Sequence, residues 1–178
     1  MDVFFMTVRS ASFFTAVMLA IALAQAQGPP PELKDRFLDN FVGEWRVERK
    51  MGNGRSAETS VRAEWTLKHQ FIELHYGYAD AAPEYEAIVF IGFDDADKAY
   101  VCHWLDVFGG RHSEYGRGKM DNDLTAIEFS FNPKKGGLTN KFTFDWEKKV
   151  WTSLIRQQEK SEWKTFAEEK WTRVEDKK

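Results

Sequence analysis

Four histidines, a single cysteine and a scatter of carboxylates are the groups in this chain that could carry chemistry. His103 and His112 flank the Gly109-Gly110 pair, with Asp106 and Glu114 close in sequence, and such residue types can bind a metal. Their spacing argues against it. On a regular strand His103 and Asp106 point to opposite faces, so no metal site is expected. Cys102 beside a histidine could form a nucleophile and base pair. Its neighbour His103 faces the other way, His75 reaches it only across the fold, and no Gly-x-Ser-x-Gly elbow is present. The thiol reads as a small buried group.

Another pattern is more informative. Tyr100, Cys102, Trp104 and Asp106 alternate along one strand, so they share a face. Turned inward, they make an aromatic wall carrying one carboxylate. Glu73 and His75 share a face of another strand, and Glu114 shares one with His112 and Gly116. Together with Trp65 these give the expected ligand-binding set: Trp65, Glu73, His75, Tyr100, Trp104, Asp106 and Glu114. A pocket walled by aromatics with few polar groups is a usual small-molecule site. The competing reading holds Asp106 in solvent or against Arg117 or Arg111, and fills the interior with the protein's own rings.

Those residues need a scaffold, and it starts at Phe41-Val42-Gly43-Glu44-Trp45. Before it, Leu33, Phe37, Leu38 and Phe41 recur at helical spacing after the prolines at 30 and 31, which predicts an amphipathic helix over 31–41. After it the pattern alternates, and turn-rich clusters recur every eight to twelve residues. Examples are Gly52-Asn53-Gly54, Lys68-His69-Gln70, Asp121-Asn122-Asp123 and the stretch from Pro133 to Gly137. The expectation is an all-β fold of about ten antiparallel strands in meander order. Phe142, Phe144 and Trp146 mark one face of a late strand, and Val61, Ala63, Trp65 and Leu67 one face of an early one. Closing such a sheet into a barrel removes its exposed edges and leaves room for one small ligand. Closure sets the first strand beside the last, which brings Trp45 next to Arg173, with Arg156 as the rival partner. Gly43, Trp45 and Arg173 are therefore the expected closure residues.

Composition narrows the class. The chain has 178 residues, 43% of them hydrophobic, with 15 Phe and 7 Trp, enough for one domain with a real core. A net charge of −3 offers no basic field for nucleic acid. One cysteine excludes an internal disulfide. Residues 1–26 read as an export signal: Arg9, an apolar run from Ala11 to Ala24, then Ala24-Gln25-Ala26 as a small-x-small cleavage site. Asp2 weakens the positive start, and translation from Met6 gives a cleaner signal. No cysteine immediately follows the cleavage site, which argues against a lipoprotein. The expected layout is signal 1–26, linker 27–31, a barrel domain over 32–174 and a charged tail 175–178. The mature protein is expected in the periplasm or secreted, without a stable membrane span.

From Leu38 to Val174 the chain resembles a bacterial family of unknown function, the one numbered 1579 among such domains. The resemblance rests on Val42-Gly43-Glu44-Trp45, on Ile91-Gly92-Phe93-Asp94 followed by Tyr100-Val101 and Trp104-Leu105-Asp106, and on Trp163 leading into Lys170-Trp171-Thr172-Arg173. It implies a lipocalin-like, calycin-type barrel, in which a Gly-x-Trp at the first strand closes one end. It implies no activity. Phe93 stands where the pattern suggests tyrosine. The chain is more distantly similar to nitrobindin-type haem barrels, which need a histidine on a late strand. No histidine follows His112, so no cofactor is expected. Two functions remain: a module binding a small apolar or amphipathic ligand, which the absence of a recognised catalytic set favours, and a barrel isomerase, cyclase or hydrolase using Asp106, His75, Glu73 and Glu114 as acid–base groups.

Overall fold

A computed structural model describes residues 28–131 and 137–175. The expected export signal, most of the Pro133–Gly137 turn and the last three residues of the tail lie outside the described residues. The chain divides into Met1–Glu32 and Leu33–Lys178, and the second unit is the barrel.

Ten strands follow one another: β1 Gly43–Met51, β2 Ser56–Thr66, β3 Phe71–Tyr76, β4 Ala87–Asp94, β5 Ala99–Asp106, β6 Glu114–Met120, β7 Ala126–Phe131, β8 Leu138–Asp145, β9 Val150–Glu159 and β10 Glu162–Arg173. Each pairs antiparallel with its sequence neighbours, and β1 pairs with β10 to close the barrel. The alternation in the sequence becomes an inside and an outside. Trp45 and Val47 of β1, Ile72, Leu74 and Tyr76 of β3, and Val89 and Ile91 of β4 are all buried within. Phe142 and Phe144 of β8 point in as expected, but Trp146 falls in the following turn and is exposed. Leu67 likewise sits in the β2–β3 turn rather than on the strand.

The expected helix over 31–41 is not formed. Its place is taken by an irregular strap ending in one 3-10 turn, Leu38–Phe41. Three contacts outcompete a helix whose first turn is costly to nucleate. The Asp35 carboxylate accepts from the backbone N–H groups of Phe37 and Leu38 at 2.9 and 3.0 Å. Leu33 N–H donates to the His69 carbonyl at 3.0 Å, which ties the strap to the β2–β3 turn. Phe41 stacks flat on Trp151, centroids 3.7 Å apart, and that depth is reached by a tighter turn. The apolar spacing correctly reported which residues are buried and misreported the backbone that buries them.

This strap plugs one end of the barrel. Trp45 donates its indole N–H to the Phe41 carbonyl at 2.7 Å, and Trp151 donates to the Asn40 carbonyl at 3.1 Å. Trp171 and Phe142 pack edge-on beneath, with centroids 5.9 Å apart. Arg173, the register partner of Trp45 across the seam, lies over that indole with its Cζ 4.3 Å from the ring centroid. The same guanidinium donates to the Val42 carbonyl at 2.8 Å. Gly43 has φ +132°, and a Cβ there would stand 2.2 Å from the Arg173 Nη1.

These contacts give the first prediction. Trp45→Ala should cost about 3–5 kcal/mol, the usual range for emptying a buried Trp site. Arg173→Ala should cost about 1–2 kcal/mol, from a guanidinium–indole contact and the capped carbonyls. Denaturant melts of both singles and the double should show coupling of at least about 0.5 kcal/mol. Simple additivity would mean that the two side chains do not act together at the seam.

Candidate binding site at the open end of the barrel

The end opposite the plug is hollow. A cavity of about 820 Å³ opens there, walled by Tyr85, Trp104, Phe108, Phe131, Leu138 and Phe166 among others. Its size falls within the usual range for small-molecule sites, about 300–1,000 Å³. Phe166 reaches the wall because β10 carries a bulge between Thr165 and Ala167, which re-aims one side chain at the mouth. Phe108, 67% exposed at the tip of the β5–β6 connection, forms part of the rim. A second concavity, about 1010 Å³, lies on the outside of the barrel among Glu48, Lys50, Glu58, Lys141, Glu168 and Lys170. That one is a broad dish of solvated charges, whereas the open-end cavity has an aromatic wall and a polar floor.

The floor is built at the β1–β10 seam. Arg49 and Glu169 are register partners, both turned inward. Arg49 donates through Nε to Oε1 of Glu169 at 2.7 Å, and its Nη2 lies in ion-pair contact with the same oxygen at 2.5 Å. Trp171 donates its indole N–H to the other carboxylate oxygen at 3.0 Å. Glu169 is only 3% exposed, and the Arg49 charge together with the Trp171 N–H makes its burial tolerable. The Arg49 guanidinium lies over Tyr85 at 4.8 Å and over Tyr76 at 5.7 Å from the ring centroids. Trp104 donates to the Tyr85 hydroxyl at 2.8 Å, and that hydroxyl reaches Asp106 Oδ2 at 3.4 Å. The other oxygen of Asp106 accepts from the Phe108 backbone N–H at 3.0 Å. Burial pushes the Tyr76 and Tyr85 phenols well above their ordinary range, and so keeps both neutral. On β8 and β9, Ser153 donates to Asn140 at 2.8 Å, a buried polar pair whose Asn140 lines the cavity.

The expected site residues divide by height and by face. Tyr100, Cys102, Trp104 and Asp106 do face inward, but β5 runs from the plugged end to the open one. Trp104 and Asp106 therefore line the cavity, as does Glu114 at the start of β6. Tyr100 lies at the plug, its hydroxyl donating to Asp35 at 2.6 Å. Trp65 is there too, stacked on His69 at 4.0 Å and donating to Asp39 at 3.0 Å. Glu73 and His75 point outward, because Ile72, Leu74 and Tyr76 take the inner face of β3; His75 meets Glu86 at 3.3 Å. The four proposed acid–base groups thus do not converge. Asp106 is held by Tyr85 and Phe108, and Arg117 instead pairs with Asp94 and Asp97. His103 is outside, against Tyr115, while His112 is at the mouth. Cys102 is fully buried, and burial pushes its thiol up.

Absent from the expected set are Arg49, Tyr85 and Asn140, which line the cavity, and Tyr76 and Glu169, which contact Arg49. Strand parity could have found two of them: Arg49 shares a face with Trp45 and Val47, and Glu169 shares one with Ala167 and Trp171.

Two outcomes should follow. Glu169→Ala leaves Arg49 buried and unpaired, so it should cost about 3–5 kcal/mol, while the paired replacement Arg49→Met with Glu169→Leu should cost much less. Chemical denaturation of the three proteins decides this, and equal losses would deny that the pair acts as a unit. The buried phenols should contribute to an alkaline limit of stability. Their folded values lie above the unfolded one, so their contribution is whole below pH 10.0 and declines as pH rises toward the folded values. Stability measured at successive pH values should fall across that window, less steeply in Tyr76→Phe.

Comparison with known proteins agrees with this architecture. The chain is similar to the crystal structure of Rv2717c from M. tuberculosis, with a TM-score of 0.54, 12% identity, and coverage of 79% of this chain and 99% of that one. At that identity the likeness concerns the fold alone. A redesigned β-barrel also aligns, at a TM-score of 0.37 and 10% identity over 79% of this chain and 96% of that one, too low to add to the assignment. No curated protein matches the sequence. The model of the family described as "Protein of unknown function (DUF1579)" matches residues 30–173, and the chain belongs to that family.

Proposed function

We propose that this protein is a binding module that takes one small apolar or amphipathic molecule into the open end of its barrel. The observation that carries this reading is the division of the interior: aromatic side chains fill one half, and the other half is a cavity with an aromatic wall. A core serving stability alone would be filled from end to end, since each unfilled pocket costs packing energy. Trp104, Phe131, Leu138 and Phe166 supply apolar contact area, and Asp106, Glu114 and Arg49 supply polar edges. The enzyme reading finds less support, because Glu73 and His75 are on the outer surface. We also propose that the protein works after export, in the periplasm or outside the cell, on the strength of the apolar run and the Ala24-Gln25-Ala26 site.

The test is titration with phenylnaphthylamine, an uncharged dye that brightens in an apolar cavity. Saturable one-to-one uptake is expected, weakened roughly tenfold in Trp104→Ala, since losing one large contact is worth roughly 1–2 kcal/mol. Absence of uptake by folded protein would overturn the reading. N-terminal sequencing of protein recovered from producing cells should begin at or near Gln27; an intact Met1 or Met6 terminus would count against export.

A further inference from the structure

Resting on the binding reading, we infer that the ligand enters with an uncharged, hydrogen-bond-accepting group at its deep end, such as a ketone, ester or amide carbonyl, and an aromatic or alicyclic body. The argument is one of charge balance. A cavity built for an anion would keep a free cation at its floor. Here the floor cation, Arg49, is already neutralised by Glu169 through two contacts to one carboxylate oxygen. A cavity built for a cation would offer a free carboxylate. Glu169 is occupied by Arg49 and Trp171, and Asp106 is engaged by Tyr85 and the Phe108 N–H. An ion reaching this floor would lose its water and find its natural partner committed elsewhere.

What the floor still offers is mostly donors. Arg49 spends Nε and Nη2 on Glu169, and its Nη1 has no hydrogen-bond partner among the described residues. Asn140 is held through Oδ1 by Ser153, which fixes the carboxamide and leaves its Nδ2 without a partner among the described residues. Both side chains line the cavity. The Tyr76 hydroxyl is buried without a hydrogen-bond partner among the described residues, and the Tyr76 ring packs near Arg49, Tyr85 and Trp104. Orphaned buried polar atoms are uncommon in native proteins. A neutral acceptor satisfies two donors and upsets no ion pair. The body of such a ligand would then lie against Trp104, Phe131 and Leu138.

The experiment displaces bound phenylnaphthylamine with four competitors of matched shape: naphthyl methyl ketone, isopropylnaphthalene, naphthoate and naphthylmethylammonium. The ketone should compete best, roughly five- to tenfold better than the hydrocarbon, as one or two net hydrogen bonds allow. Both ions should compete worse than the ketone, by about tenfold or more. Asn140→Leu, checked for folding by its thermal melt, should erase the ketone's advantage over the hydrocarbon. If that variant does not fold, the wild-type series alone decides. Naphthoate or the ammonium competing as well as the ketone, or the hydrocarbon equalling it, overturns this inference while the binding reading stands. Failure of the dye itself to bind overturns the binding reading, and this inference with it.

Discussion

The stacking of Phe41 on Trp151, with Trp45, Trp171 and Phe142 around them, is the interaction on which the rest of the barrel depends. Four aromatic strands' worth of surface converge there on one short 3-10 turn. Each indole N–H that is buried in the process finds a carbonyl or carboxylate, so the apolar gain is not offset by stranded donors. The plug fixes the levels of all inward side chains. Those one or two steps further along each strand form the floor, and those beyond form the cavity wall.

The floor is where polar groups are buried at greatest risk. Glu169 and Arg49 face each other across the seam, and their mutual attraction is supplemented by Trp171 below and two phenol rings above. Such a pair is weak evidence for stability compared with a hydrophobic replacement. It does specify register, because a slip of β10 by one residue at the seam would turn Glu169 outward and leave Arg49 facing inward without its partner. The closed end says the same thing through Trp45 and Arg173. Two independent inward pairings therefore lock one alignment of β1 on β10.

Much of this was legible from alternation. The number of strands, their order, the face shared by Tyr100, Cys102, Trp104 and Asp106 and the meeting of Trp45 with Arg173 all follow from period-two patterning and closure; the direction of that β5 face does not. The strap over 33–41 was not legible, because Leu33, Phe37, Leu38 and Phe41 satisfy helical spacing whether or not the backbone is helical. What decided it was Asp35, which caps the turn and accepts from Tyr100, 65 residues away. Local spacing carries no record of such a partner. The site was half legible. Height along a strand separates Tyr100 from Asp106, and height is set by the plug. Glu73 and His75 were drawn in by chemistry, although the apolar run of Ile72, Leu74 and Tyr76 had already claimed the inner face. Arg49 and Glu169 were passed over for the opposite reason: charged residues in alternating strands read as solvated surface.

The seam also shapes how the chain reaches this state. The Arg49–Glu169 contact joins residues 120 apart in sequence, and every other strand pairing is between consecutive strands. Hairpins can assemble one after another as local events, but the ring shuts only when β10 arrives, after almost the whole loop-closure entropy has been met. Until then β1 and β10 are two bare edges on a curved sheet, each able to template pairing with another chain. Glu44, Arg46, Glu48 and Lys50 alternate along the outer face of β1, and Glu168 and Lys170 along that of β10. In a parallel, in-register meeting of two copies each of these charges would face its own kind, which discourages that pairing in a nascent chain. The same outward charges that look idle on the finished barrel act as gatekeepers while it is still open.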